Sequence, residues 1–346
     1  MKVIAVVIVV TGALTTSVTA LTGATYHQGS RLVPHIAPRL ADHEAPTKTF
    51  RTRQDNPEVN FTPDQLFAMQ KKFLDNFISP NNAIQANSIN STLLAENIQG
   101  RVDITRTFDG RELNTEYLFG LFANLAASTN DTSAFSLLGV PVGYEITHFA
   151  ASQNIASAST RFQFFFNAIN LTLPIQIQTW NVFNQAGQIS MYDASFTGWW
   201  QWAVDELLGY VQTALSAADG GENVTLADTA TYVQSKLATS ICSTAQQYCV
   251  GALQQYSSNA TCYNHLTNQT RFGEAYELGR NTVLCRMVHQ NMVPLRPAIH
   301  CPHIGPSGGG YCVDTPSYAD TVNQNYFSNY PFAYGNGSVT GGVLQG

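Results

Sequence analysis

Side chains able to do chemistry are sparse in this chain. Only 12% of its 346 residues are charged, about half the roughly 25% usual for a soluble domain. The candidates gather in Gly143–Trp200, a stretch with no lysine and many β-branched and aromatic residues. His148 could act as a general acid or base near neutral pH; the alternative is a structural histidine satisfied by its neighbours. Gln178, Asn181 and Tyr192 are neutral donors that could polarise a substrate carbonyl. Phe162, Phe164 and Phe166 recur at period 2 and would give one strand an aromatic face, suited to a cavity wall or to ordinary core. Tyr144, Thr179, Trp180 and Phe196 complete the expected substrate contacts. Asp193 alternates with Tyr192, so only one of the two can face inward; Asp193 would bond Arg161 or cap a turn.

A second group lies towards the C-terminus, where His265, His289, His300 and His303 are interspersed among the cysteines. The string His300-Cys301-Pro302-His303 invites a zinc reading, but its spacing fits no standard finger. No metal or other cofactor is expected. The preferred reading is a disulfide-tied cap whose histidines and arginines bond backbone carbonyls. Arg286 and Arg296 would anchor that cap or an anionic ligand. Gly305–Gly310 lacks a following Lys-Ser/Thr and reads as a turn-rich loop, not a phosphate site. The chain is read neither as a serine hydrolase nor as a dinucleotide enzyme.

Four segments must position the first group: Tyr144–Ala151, Thr160–Asn167, Leu173–Phe183 and Gln188–Phe196. Turn residues separate them, which predicts an antiparallel meander. Gln176, Gln178 and Trp180 fall on one face of the third strand. Thr62 and Pro63 open a helix running to about Ser79. A weaker helix is expected over Asn90–Ile98, a strand over Arg101–Phe108 and a helix over Glu112–Ala127. Two more helices should run from Trp202 to about Ala218 and over Leu226–Tyr248. Helices followed by a curved meander make an α+β domain.

Residues 1–20 read as a secretory signal peptide and 21–56 as a flexible arm. Residues 57–218 form the α+β domain, and 219–346 a cysteine-rich helical extension packed on it. All six cysteines, Cys242, Cys249, Cys262, Cys285, Cys301 and Cys312, lie in that extension and predict three disulfides in an oxidising compartment. Fifteen pairings are open. Cys242 and Cys249 lie about 10 Å apart along one helix, too far to join each other; Cys301 with Cys312 is the preferred pair. Eight sequons, at Asn60, Asn90, Asn130, Asn170, Asn223, Asn259, Asn268 and Asn336, predict a glycoprotein of the secretory pathway. A net charge of −6 with no basic stripe argues against nucleic acid, and no later segment is apolar enough to span a membrane. A homodimer through the outer sheet face is expected.

The run LPIQIQTWNVFNQAGQISMYDASF, with Phe183–Asp193 at its centre, resembles the SnoaL-like branch of the ketosteroid-isomerase cone fold. The resemblance covers about Pro63–Leu208. It implies a bent sheet wrapped around a helix, with Tyr192 and Phe196 turned into the cone. Relatives of ketosteroid isomerase carry an acid on the third strand; here Thr179 and Asn181 stand there, which argues against enolisation by such an acid. The cysteine-rich remainder resembles extensions of secreted fungal secondary-metabolite proteins, including hetero-Diels–Alderases of tropolonic sesquiterpene pathways. That likeness implies a cofactor-free cyclisation or cycloaddition, an o-quinone methide of a tropolone adding to a terpene alkene. Two alternatives are a SnoaL-type dehydratase or isomerase, and a secreted small-molecule binder without turnover.

Overall fold

A capping box starts the first helix, α1 (Pro63–Phe77). Gln65 N–H donates to Thr62 Oγ1 at 3.2 Å, and Thr62 N–H donates to Gln65 Oε1 at 2.8 Å, satisfying two donors that a helix start otherwise leaves orphaned. The computed structural model describes residues 60–127, 135–221, 223–315, 317–324 and 326–327. The expected signal peptide and arm, and the sequons at Asn130 and Asn336, lie outside them.

After α1 come α2 (Asn81–Ser88), β1 (Leu94–Val102) and β2 (Thr107–Asp109). A helical stretch follows as α3 (Arg111–Thr115), a π-turn (Glu116–Gly120) and α4 (Leu121–Ala127). The meander then runs β3 (Val140–Ser152), β4 (Ile155–Phe166), β5 (Leu171–Phe183) and β6 (Ile189–Phe196). The sheet order is β2-β1-β6-β5-β4-β3. Every pairing is antiparallel except β1 with β6, which is parallel. Alternation on β4 and β5 sends Phe162, Phe164, Phe166, Leu173, Ile175 and Ile177 to the concave face, where all are buried. Helix α1 lies against that face, with the Phe77 ring 5.1 Å from Phe162.

The helix expected over Asn90–Ile98 is largely strand β1. Leu94, Ala95, Ile98, Gln99 and Gly100 are all buried, so period 2 is lost, and Leu94 and Ile98 at i, i+4 imitate a helical face. The strand expected over Arg101–Phe108 is the end of β1, a turn, and β2. Helix α1 ends at Phe77, close to the expected Ser79, and Pro80 then stands as the N-cap of α2, a helix the sequence reading did not expect.

The second half is helical: α5 (Trp199–Gln201), a π-turn (Trp202–Leu208), α6 (Gly209–Ala218), α7 (Leu226–Tyr248), α8 (Asn259–Asn268), α9 (Val283–Gln290), α10 (Pro297–Ile304) and α11 (Tyr318–Asn323). Three disulfides tie it together: Cys242–Cys262, Cys249–Cys301 and Cys285–Cys312. Cys242 and Cys249 are not joined, as the helix geometry requires. The preferred Cys301–Cys312 pair does not form. Cys249 caps α7 where α10 crosses it and takes Cys301, while Cys312 folds back onto α9. The six sequons among the described residues, Asn60, Asn90, Asn170, Asn223, Asn259 and Asn268, are all exposed. Among those residues, no helix is long and apolar enough to cross a membrane.

Candidate functional site

The sheet bends around a cavity of about 110 Å³. Phe73 and Phe77 of α1 form one wall, Phe162, Phe164 and Phe166 of β4 another. Thr179, Asn181, Tyr192, Ala194 and Phe196 of β5 and β6 supply the third side, and Leu278 and Val288 of the extension close it. Among the described residues, no Asp, Glu, His, Lys or Arg lines it.

Its few polar groups differ in how well they are satisfied. Asn181 Nδ2 donates to Gln70 Oε1 at 2.6 Å, a link between β5 and α1 with both residues buried. Tyr117 of the first π-turn shares a 2.8 Å hydrogen bond with Thr105 Oγ1. Thr179 Oγ1 and Tyr192 OH are buried and have no partner among the described residues. Burial raises the Tyr117 phenol, and raises Tyr192 well above its ordinary value, so both remain protonated donors. Tyr192 also explains a glycine. A Cβ added to Gly100 would lie 2.2 Å from the Tyr192 ring, so only glycine lets the ring cross β1. Gly100→Ala should therefore force Tyr192 aside and cost about 1–3 kcal/mol, the range for overpacking, measured as a lower denaturant midpoint.

Seven expected site residues come together here: Phe162, Phe164, Phe166, Thr179, Asn181, Tyr192 and Phe196. Four do not. His148 is exposed, its Nδ1 3.2 Å from Thr147 Oγ1. A bulge between Ile146 and His148 adds a residue to β3, which turns His148 outward and brings Phe149 against Phe67 of α1, ring centroids 5.1 Å apart. Tyr144 leaves the cavity because its hydroxyl donates to Asp75 Oδ1 at 2.6 Å. Gln178 and Trp180 occupy the outer face of β5, with Trp180 half exposed. Asp193 does point away from the cone, but it pairs with Arg101, whose Nε donates to Oδ1 at 2.9 Å; Arg161 takes Glu145 instead.

A groove of about 360 Å³ adjoins the cavity. Leu137, Leu138, Trp199 and Leu278 belong to both. Trp199 is fixed between them: its Nε1 donates to Ala275 O at 2.7 Å, and its ring stacks on Trp202 at 4.8 Å. The sequence reading missed Tyr117, Thr105 and this tryptophan plug; the Trp199-Trp-Gln-Trp202 cluster was the available signal.

In the extension, Arg286 is fully buried. It donates to the carbonyls of Thr282, Gly305 and Pro306 and to Asn281 Oδ1, so the glycine-rich loop wraps a guanidinium. Arg296 instead reaches Glu112 and Glu116. Gly305-Pro306-Ser307-Gly308-Gly309 has the spelling of a nucleophile elbow. It follows α10 instead of a strand, however, and Ser307 Oγ accepts from Gly309 N–H within the turn. His289 and His303 are buried beside His300. Desolvation, reinforced by the neighbouring imidazoles, holds His289 well below the ordinary histidine value and His303 at about 3.

A curved six-stranded sheet around an internal helix, followed by a helical, disulfide-bonded extension, defines an α+β protein with a cone-shaped interior. The BfoA N-terminal domain model matches residues 71–194, and the BfoA family C-terminal domain model matches 199–315. The chain belongs to the BfoA family. It is 47% identical over 277 residues to Bifonsecin B biosynthesis cluster protein A of Aspergillus brasiliensis, covering 80% of this chain and 88% of the relative. It is 46% identical to Aurasperone B biosynthesis cluster protein A of Aspergillus niger, covering 80% and 86%. Among solved structures, a putative isomerase from Rhodopseudomonas palustris aligns at 10% identity and TM-score 0.31, covering 42% of this chain and 96% of that one. A ketosteroid-isomerase-like protein from Catenulispora acidiphila, in complex with trimethylamine, aligns at 12% and 0.27, covering 39% and 85%.

Proposed function

We propose that this protein is a secreted enzyme of fungal secondary metabolism that holds one apolar, ring-bearing substrate in the cone and promotes its cyclisation. The observation that carries this reading is an aromatic cavity that, among the described residues, is lined by no Asp, Glu, His, Lys or Arg and holds two buried hydroxyls, on Thr179 and Tyr192, without a partner. Buried polar groups without partners are costly; a substrate carbonyl would satisfy them. The membership of two relatives in named biosynthesis clusters supports the pathway class. The three disulfides and six exposed sequons support the secretory route.

Volume narrows the reaction. A cavity of roughly 150 Å³ takes one benzene, and this one measures about 110 Å³. The cone therefore offers room for at most one small ring, not for a tropolone quinone methide and a macrocyclic terpene together. A two-component cycloaddition would have to use the adjoining groove as well, with Trp199 displaced. The chemistry left to the cone is positioning plus carbonyl polarisation by neutral donors. A dehydratase that depends on His148 is disfavoured, since that imidazole lies outside the cavity.

The test is Tyr192→Phe and Thr179→Val. Each removes an unpartnered hydroxyl at nearly constant volume, so stability should hold or rise. Turnover of the pathway intermediate, assayed on extracts from a strain deleted for this gene, should fall by about 10², the low end for one oxyanion donor. Full activity in both variants would sink the proposal.

A further inference from the structure

We propose that His289, His300 and His303 form a binding site for one divalent transition metal ion, with Zn²⁺ the ion the geometry fits. The Nδ1 atom of His289 lies 3.3 Å from Nδ1 of His300 and 3.2 Å from Nδ1 of His303. One ring nitrogen from each of the three lies within 4.8 Å of the others. Ligands about 2.0–2.1 Å from a tetrahedral zinc stand about 3.3 Å apart along each edge. Protons cannot account for the same contacts. A neutral imidazole nitrogen either donates one proton or accepts through one lone pair. His289 Nδ1 faces two nitrogens, so at most one contact is a sound hydrogen bond. A cation at the centre gives all three lone pairs the same partner.

The surroundings have the form that metal-bound histidines need. His300 presents Nε2 to Glu116 Oε2 at 3.4 Å, with both residues fully buried. The contact falls short of a hydrogen bond, and His300 Nε2 has no other partner among the described residues. A carboxylate behind a ligating imidazole fixes its tautomer and raises its basicity. Arg296 holds Glu116 from the far side. The Tyr311 ring covers His303 at 4.4 Å and stands between it and the Arg106 guanidinium.

Two disulfides build the frame. Cys285, one helical turn before His289, is bonded to Cys312, the neighbour of Tyr311. Cys301, between His300 and His303, is bonded to Cys249. Both thiols near His289 are therefore consumed, and the donor set is nitrogen alone. Three imidazoles leave a fourth position for water, the composition of open zinc sites. Glu116 and the cavity-lining Tyr117 are consecutive in the π-turn, so the ion would brace the cone wall from behind.

The secreted full-length chain, dialysed against Zn²⁺ and then metal-free buffer, should retain one equivalent by elemental analysis. Its X-ray absorption should report nitrogen neighbours at about 2.0 Å with imidazole scattering and no sulfur. His289→Ala and His303→Ala should lose the ion, His265→Ala should keep it, and Glu116→Gln should weaken affinity 10- to 100-fold, the range for a supporting carboxylate. Wild-type protein with intact disulfides that retains well under one equivalent would overturn the proposal. So would sulfur in the first shell, or zinc that survives His303→Ala. The absorption measurement needs no variant, so misfolding of one cannot shelter the idea.

Discussion

Phenylalanine at position 194 will abolish activity while leaving the fold intact. Ala194 sits on the cavity face of β6, opposite Thr179, and is buried. A benzyl side chain there would enter the cavity of about 110 Å³ and fill the space a guest would occupy. The intruding ring meets cavity, not packed core, so the cost should stay within the 1–3 kcal/mol of ordinary overpacking. Binding of an apolar ring probe should become unmeasurable by fluorescence titration, and turnover should fall to the uncatalysed background. Ser195→Phe is the matched control. Ser195 is the next residue, exposed on the outer face, and period 2 keeps its side chain out of the cone. Equal losses in the two variants would place the reaction elsewhere than the cavity. Retained activity in Ala194→Phe would do the same.

Much of this site was readable before the fold. Period 2 put three phenylalanines of Thr160–Asn167 on one face and separated Thr179 and Asn181 from Gln178 and Trp180 in Leu173–Phe183, but which of those two pairs turns inward is set by the helix packed on the sheet. His148 failed because a single inserted residue flips every later side chain, and the signal for a bulge is tertiary. Strand β1 failed for a related reason. It pairs in parallel with β6, nearly a hundred residues later, and burial on both faces erases the alternation that would announce it. The tethers were legible as a count, but not as pairs, since their partners are set by how α7, α9 and α10 cross. His289, His300 and His303 show the same limit. Their spacing matches no standard finger because they come from two helices, α9 and α10, that pack on each other.

The bridge between Cys249 and Cys301 should contribute most among the three. It spans 52 residues, against 20 and 27 for the others. Closing a loop of that size lowers the entropy of the unfolded chain by an amount worth about 4 kcal/mol, against roughly 3–3.5 for the shorter loops. A second effect adds to the first. Cys301 is fully buried on α10 between two histidines, and Cys249 ends α7, so cutting the bond releases two helices from each other. Cys249→Ala with Cys301→Ala should lower the melting temperature by on the order of 10 °C, more than Cys242→Ala with Cys262→Ala. Leu278 and Val288 of the same extension close the cone. Affinity for the ring probe should therefore fall with stability in the first double variant and hold better in the second, because Cys242–Cys262 joins α7 to α8 away from the cavity wall. If both double variants melt alike and bind alike, the extension is a passive appendage and its residues do not shape the site.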